Sequence, residues 1–146
     1  MTNSLNETPE IQVAQAILLL EGKYVLQLRD NNPNIIAPGW WSFFGGKIDT
    51  GENPSQAIRR EIFEELSLIP EEFRFLWSTD YISQFTRLPV RGWYFMADVT
   101  EIWKNYKLSE GQAAKSFLFE EVRNLEIASI ICQTIERYHN TVKNSV

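Results

Sequence analysis

The chain has 146 residues, of which 44% are hydrophobic and 23% charged, the balance of one globular domain and not of a disordered or fibrous chain. Its formal charge of −5, from 19 acidic and 14 basic residues, argues against nonspecific binding to a nucleic acid backbone; an anionic ligand can still be held if metal ions bridge it to carboxylates. The longest apolar run, residues 16–20, falls far short of the roughly 18 needed to span a bilayer. The first ten residues lack a basic, apolar leader, and the single cysteine, Cys132, excludes an internal disulfide framework, so a cytoplasmic location is expected.

In chain order, residues 1–10 are polar and aperiodic and read as a loose tail, leaving 11–146 as the single domain. Residues 11–20 are β-branched or aliphatic apart from Gln12 and Gln15, Glu21-Gly22-Lys23 makes a turn, and 24–28 continue as a second strand, together a β-hairpin. Residues 30–39 hold three Asn and two Pro and read as a loop, and 40–44 return to extended structure before Gly45-Gly46. A helix follows, with Asn53 as its cap, Pro54 at its first position, an apolar stripe of Ala57, Ile58, Ile62 and Leu66, and an end near Ser67. Residues 73–85 and 92–99 read as a pair of aromatic-rich strands, 103–111 as a loop and 116–119 as a short strand. A second amphipathic helix is expected over 125–138, on Ile127, Ile130, Ile131, Ile135 and Tyr138. Cys132 is expected to pack as a small apolar residue, and His139 to lie on the surface. This order predicts an α/β fold, an α/β/α sandwich around a central mixed β-sheet.

Chemistry concentrates on the first helix. Glu61, Glu64 and Glu65 stand at i, i+3 and i+4, so their side chains converge within one narrow sector. Like charges at this spacing repel by roughly 0.2–0.5 kcal/mol per pair, and no lysine lies inside the sector. A hard divalent cation is the natural remedy, since magnesium takes oxygen ligands and is commonly shared between carboxylates and substrate phosphates. Ala57, one turn before Glu61, leaves room there for an ion or ligand to approach.

Gly46, Glu52, Arg60, Glu61, Ile62, Glu64, Glu65 and Leu68 together resemble the signature of the Nudix (MutT-like) hydrolases in both type and spacing. Ser67 departs from it, standing where the family has glycine. A serine there should cost about 1 kcal/mol of stability without removing a metal ligand. Phe44 before Gly45-Gly46 stands where many members have proline. The resemblance implies the Nudix fold and hydrolysis of a nucleoside diphosphate linked to another group, by water attack on phosphorus with Mg²⁺, or Mn²⁺ in its place. It further implies Glu61 and Glu65 as metal ligands, Glu64 as a ligand directly or through water, and the Gly45 carbonyl as a backbone ligand. Glu52 and Arg60 are expected to pair, fixing the loop to the helix.

The general base need not come from this motif. Glu110, in Glu110-Gly111-Gln112 before a strand, is similar to the catalytic loop glutamate of one branch of the family. With Glu110 as base, the catalytic set is Glu110, Glu64, Glu52 and Arg60. Glu120 and Glu121 are better placed to start a helical turn, where carboxylates suit the dipole. Arg29 matches an arginine that contacts substrate phosphate in several members, a task its planar fork suits. Of Trp40 and Trp41, alternation puts one in the core and leaves the other to stack on a base; Trp41 is expected to bind substrate beside Arg29.

The substrate is not announced. Residues 83–86 read Ser-Gln-Phe-Thr, without the proline of ADP-ribose hydrolases or the tyrosine of dinucleoside polyphosphate hydrolases, and Glu126-Ile127-Ala128 lacks the asparagine that reads oxidised guanine. The expected partner is a small nucleotide or nucleotide sugar, with no nucleic acid polymer or membrane, and a homodimer is a candidate assembly. The rival reading is a noncatalytic Nudix domain that senses a nucleotide; its usual mark is a broken motif, and here all three glutamates are present.

Overall fold

The structure, a computed structural model, describes residues 8–143; most of the N-terminal tail lies outside them. Seven strands are present among the described residues: β1 (Ile11–Leu20), β2 (Lys23–Leu28), β3 (Trp41–Ser42), β4 (Phe44–Lys47), β5 (Arg74–Ile82), β6 (Pro89–Asp98) and β7 (Ala113–Phe117). The helices are α1 (Pro54–Leu66), the short α2 (Phe119–Val122) and α3 (Ser129–Arg137). The sheet runs β3-β2-β1-β6-β5, with β4 added to β1 and β7 to β2. Only β1 and β6 run parallel; the other pairs are antiparallel, so the sheet is mixed, as expected.

Strand β1 organises both layers. Its side chains alternate between faces. Ala14, Ala16 and Leu18 pack with Ile58, Ile62 and Leu66 of α1, whereas Ile17 and Leu19 pack with Ile131 and Ile135 of α3 on the opposite face. The two helices therefore flank the sheet.

Several boundaries differ from the sequence expectation. Gly45 and Gly46 do not follow a strand but form the middle of β4, where Gln15 faces Gly45 and Ala14 faces Gly46. A side chain at Gly45 would place its Cβ 2.2 Å from the Ala14 carbonyl oxygen, so only glycine allows the two strands this approach. Strand β7 begins at Ala113, because pairing with β2 overrides the weak strand preference of two alanines. The last helix starts at Ser129 and not near 125. Residues 123–126 turn and bend instead, and the chain then meets β3: the Trp41 N–H donates to the Glu126 carbonyl at 2.9 Å and Trp41 bridges to Ile127. Leu125 and Ile127 still pack on the α3 side of the sheet, which is why apolar spacing alone extended the helix too far.

Three further expectations are corrected or sharpened. Ala57 is fully buried in the core under α1 and leaves no opening for a ligand. His139 is not a surface residue: it is half-buried, its ring stacks on Phe119 at 3.9 Å and its Nδ1 lies 2.8 Å from the Tyr24 hydroxyl. Cys132 does pack against the α3-side core.

Ser67 ends α1 in the left-handed region, with φ 56° and ψ 32°, its N–H donating to the Phe63 carbonyl at 2.8 Å. Glycine adopts this conformation without steric cost. Ser67→Gly is expected to stabilise the protein by about 0.5–1 kcal/mol, raising its melting temperature by about 2–4 °C in thermal denaturation.

Candidate active site

Helix α1 is fixed at its start by a capping box. The Asn53 Oδ1 accepts from the Gln56 N–H at 2.8 Å, and the Gln56 Oε1 accepts from the Asn53 N–H at 2.9 Å. The loop from β4 into α1 is then tied to the helix by Arg60. Its guanidinium forks onto Glu52, Nε to Oε2 at 2.7 Å and Nη2 to Oε1 at 2.9 Å, and Nη2 also donates to the Lys47 carbonyl at 3.1 Å. The Glu52–Arg60 pair expected from the motif is therefore present. These bonds, with the Asp49 N–H, hold the Glu52 carboxyl down at about 2 and the guanidinium above its ordinary range.

Arg60 does more than the motif implies. Its Nη1 donates to the Glu61 Oε1 at 2.9 Å and lies 3.3 Å from the Glu64 Oε2. The cation beside the carboxylates is thus an arginine and not a lysine, and Arg60 stands one turn before Glu64 on the helix, close enough to reach it.

Glu65 faces the other way. It is 3% exposed, and its Oε1 accepts from the Gly45 N–H at 2.8 Å. Burial pushes its carboxyl up to about 9 against the pull of that bond; the charges of Glu61 and Glu110 and a hydrogen bond with Glu110 push the same way. Glu61 is also pushed up, first by burial, with Arg60 opposing and Glu64 and Glu110 adding to the shift. A Cβ on Gly46 would sit 2.7 Å from the Glu61 carboxylate carbon, so this glycine makes space for that group. Glu64 is the exposed member of the three.

A cavity of about 130 Å³ opens in front of Glu65, lined also by Gly45, Arg29, Glu110 and Gln27. The structure thus brings Gly45, Glu65, Glu110 and Arg29 together, sets Glu61 beside them under Gly46, and leaves Glu52, Arg60 and Glu64 on the adjoining helix flank. The contact Gly45 makes with Glu65 is through its N–H. Arg29 is aimed by its Nε, which donates to the Ile36 carbonyl at 2.7 Å.

A second cavity of about 260 Å³ lies on the α3 side, and Arg29 and Gly45 line both. Trp40, Trp41, Tyr81, Phe85 and Ile131 are among its walls. Trp41 is packed edge-on against Phe117 at 4.8 Å, whereas Trp40 meets Phe85 edge-on at 5.1 Å. Both tryptophans are half-buried and both line the cavity, so alternation did not send one to each side. Tyr81, Phe85 and Gln27 were not anticipated. For the first two no local signal exists. Gln27 does carry one, a glutamine inside the otherwise apolar strand Tyr24-Val25-Leu26-Gln27-Leu28.

Among the described residues no three His, Cys, Asp or Glu side chains stand as a ready metal cage, because Arg60 engages Glu61 and Glu64 while Gly45 engages Glu65. The donor set still fits a hard divalent cation. It is all oxygen, and burial disfavours the charged form of Glu65, whose carboxyl is pushed up to about 9, and of Glu61, a cost that a bound cation would offset.

The NUDIX domain model matches residues 10–135. The chain is 36% identical over 80 residues to an RNA pyrophosphohydrolase of Blochmanniella pennsylvanica, covering 55% of this chain and 45% of that protein. It is 43% identical over 49 residues to an 8-oxo-dGTP diphosphatase of Haemophilus influenzae, covering 30% of this chain and 36% of that one. The chain spans less than half the length of these curated relatives. A MutT protein of Methanosarcina mazei shares the fold with a TM-score of 0.77 at 22% identity, covering 96% of this chain and 99% of its own. The chain belongs to the Nudix family. Among its described residues, no helix is long and apolar enough to cross a membrane.

Proposed function

We propose that the protein is a Mg²⁺-dependent pyrophosphohydrolase, with Mn²⁺ able to substitute, acting on a nucleoside diphosphate linked to a further phosphate, nucleotide or sugar. The observation that carries this reading is the convergence of Glu65, Glu110, Arg29 and Gly45 on one small cavity that adjoins an aromatic-walled one. When bound, the metal supplies neutralisation of charge on the phosphate oxygens and helps to align them. Glu61 and Glu65 would hold it, with Glu64 and the Gly45 backbone completing the set.

The remaining roles belong to side chains. Arg29 presents its outer guanidinium nitrogens to a phosphate, and the larger cavity takes the nucleoside between aromatic rings, Trp41 and Trp40 among them. Water adds to phosphorus, the bond from phosphorus to the bridging oxygen breaks, and the displaced phosphate carries that oxygen away. Glu110 takes the proton that the water loses. Glu52 and Arg60 keep the loop of β4 registered on α1.

The two curated relatives act on different substrates by name, an RNA and a modified nucleoside triphosphate. A small nucleotide in the cytoplasm is the partner favoured here, with neither membrane nor nucleic acid polymer, and a homodimer as the assembly to test by sedimentation. Incubation with Mg²⁺ and a panel of nucleoside triphosphates, 8-oxo-dGTP, nucleotide sugars and a 5′-triphosphorylated RNA, followed by product separation, tests the reading. Cleavage at a phosphoric anhydride supports it. No cleavage anywhere, with nucleotide binding retained, replaces it with a nucleotide sensor.

Glu110→Gln is expected to lower kcat by about 10²-fold or more with Mg²⁺ affinity largely retained, measured by steady-state kinetics and metal titration. Near-normal turnover would place the base elsewhere.

A further inference from the structure

Gln27 is 4% exposed, yet it is polar and sits between Leu26 and Leu28 at the end of β2. On its two sides it is paired with Ser42 of β3 and Ala114 of β7, so its backbone is held from both directions. Its side chain lines the same small cavity as Glu65 and Glu110, and its Nε2 donates to the Glu110 backbone carbonyl at 3.1 Å. A buried amide is costly to leave unpaired, so this bond makes a glutamine tolerable there.

The segment it holds has no regular structure of its own. On the helix side, the Lys107 N–H donates to the Leu66 carbonyl and the Ser109 N–H to the Glu65 carbonyl, both at 2.9 Å, and the Leu108 side chain packs against the core under α1. On the strand side, Gln112 donates its backbone N–H to the Leu28 carbonyl at 2.8 Å and its side-chain amide to the Arg29 carbonyl at 2.9 Å. Between these anchors, Glu110 itself is held by Gln27. The backbone at Gly111 lies so close to it that a Cβ there would stand 2.8 Å from the Gln27 Cγ and 2.9 Å from its Nε2. Gly111 has φ +86°, a conformation that favours glycine, so the turn is shaped to fit over the glutamine.

We propose that Gln27 is a positioning residue which, by gripping the Glu110 carbonyl, keeps the Glu110 carboxylate over the cavity beside Glu65. The proposal rests on the reading of Glu110 as the base. It does not require Gln27 to touch substrate or metal. Residues that orient a reacting group through a hydrogen bond typically carry about 10–100-fold of its effect, and that range is expected here.

The test uses the full chain with Gln27→Met, which keeps the volume and removes the donor, and Gln27→Asn, which keeps the amide but is one methylene too short. Both should lower kcat by about 10–100-fold with KM for the nucleotide within about twofold of wild type. In the metal-free protein, amide exchange at Ser109 and Gln112 should speed up about tenfold in Q27M, read by NMR or mass spectrometry, while a thermal melt reports that the fold is kept. Adding Q27M to E110Q should cost nothing further, because one acts through the other. Wild-type kcat, unchanged exchange, a rise confined to KM, or full additivity with E110Q would each overturn the proposal. A wild-type rate for E110Q alone would sink the reading of Glu110 first, and with it this role for Gln27; a normal E110Q defect beside a silent Q27M would remove only the latter.

Discussion

Glu65→Gln is expected to reduce turnover by about 10²–10³-fold while leaving the fold intact. The substitution preserves volume and keeps an oxygen to accept from the Gly45 N–H, so the structural bond at 2.8 Å survives. What it removes is the carboxyl's capacity to give up its proton and present a negative charge to a bound cation. Stabilisation of phosphate charge by a bound metal is worth several kcal/mol, and each 1.36 kcal/mol lost is about tenfold in rate. Steady-state kinetics and Mg²⁺ titration check it; an unchanged rate would remove Glu65 from the ligand set.

The same variant carries a pH signature in the metal-free protein. Burial first, then its acidic neighbours, raises the Glu65 carboxyl from 4.5 to about 9, so between those values the folded state binds more protons than the unfolded one. Stability from this group is therefore fully present below about pH 4.5 and is lost as pH rises through about 9. Urea denaturation with chelator at pH 5, 7 and 9 should show the wild type weakening with pH and Glu65→Gln weakening less. Mg²⁺ should offset the wild-type loss at the alkaline end.

Arg60→Ala is the second large effect. It strips the cation from Glu52, Glu61 and Glu64 together and cuts the tie from the helix to the Lys47 carbonyl. Several charge-assisted hydrogen bonds between loop and helix are lost together, so a lower melting temperature and a fall in kcat of about 10–100-fold are expected. Arg60→Lys should recover little, since an ammonium cannot fork onto Glu52. With the carboxylates left unneutralised, Mg²⁺ should raise the melting temperature of Arg60→Ala more than that of wild type. Acid titration gives an independent check. Glu52, lowered to about 2 by Arg60 and then by the Asp49 N–H, stabilises the folded state above about pH 4.5 and stops doing so as pH falls through about 2. Removing Arg60 should abolish most of that acid-dependent component.

The legible parts of the chain were those set by local chemistry. Asn53 and Pro54 mark the start of α1, and Ser67 adopts the left-handed end that the departure from the family pattern foretold. The aliphatic run of β1 and the aromatics of β5 and β6 also became strands, although β5 ends at Ile82 and β6 starts at Pro89, because strand preference is a property of a few neighbouring residues. Errors arose where a remote partner decided. The backbone before α3 is not helical where Trp41 bonds it, and β7 starts early because β2 pairs it. Nothing near His139 in sequence announces Tyr24 and Phe119 as its neighbours.

For the site the division is similar. The spacing of Glu61, Glu64 and Glu65, the glycine pair, and the offset of Glu52 from Arg60 were enough to assign the family and the acidic helix, since helix geometry and backbone sterics act over single turns. Sequence alone could not separate the three glutamates, and the fold does so: Glu65 is buried beside Gly45, Glu61 is tucked under Gly46, and Glu64 stays in solvent. Nor could it place Glu110 and Gln27 against them, because those contacts span the loops between β2, α1 and β7. Charge type and spacing are written locally, whereas burial, and with it the raised carboxyl of Glu65, exists only once distant strands have closed over the helix.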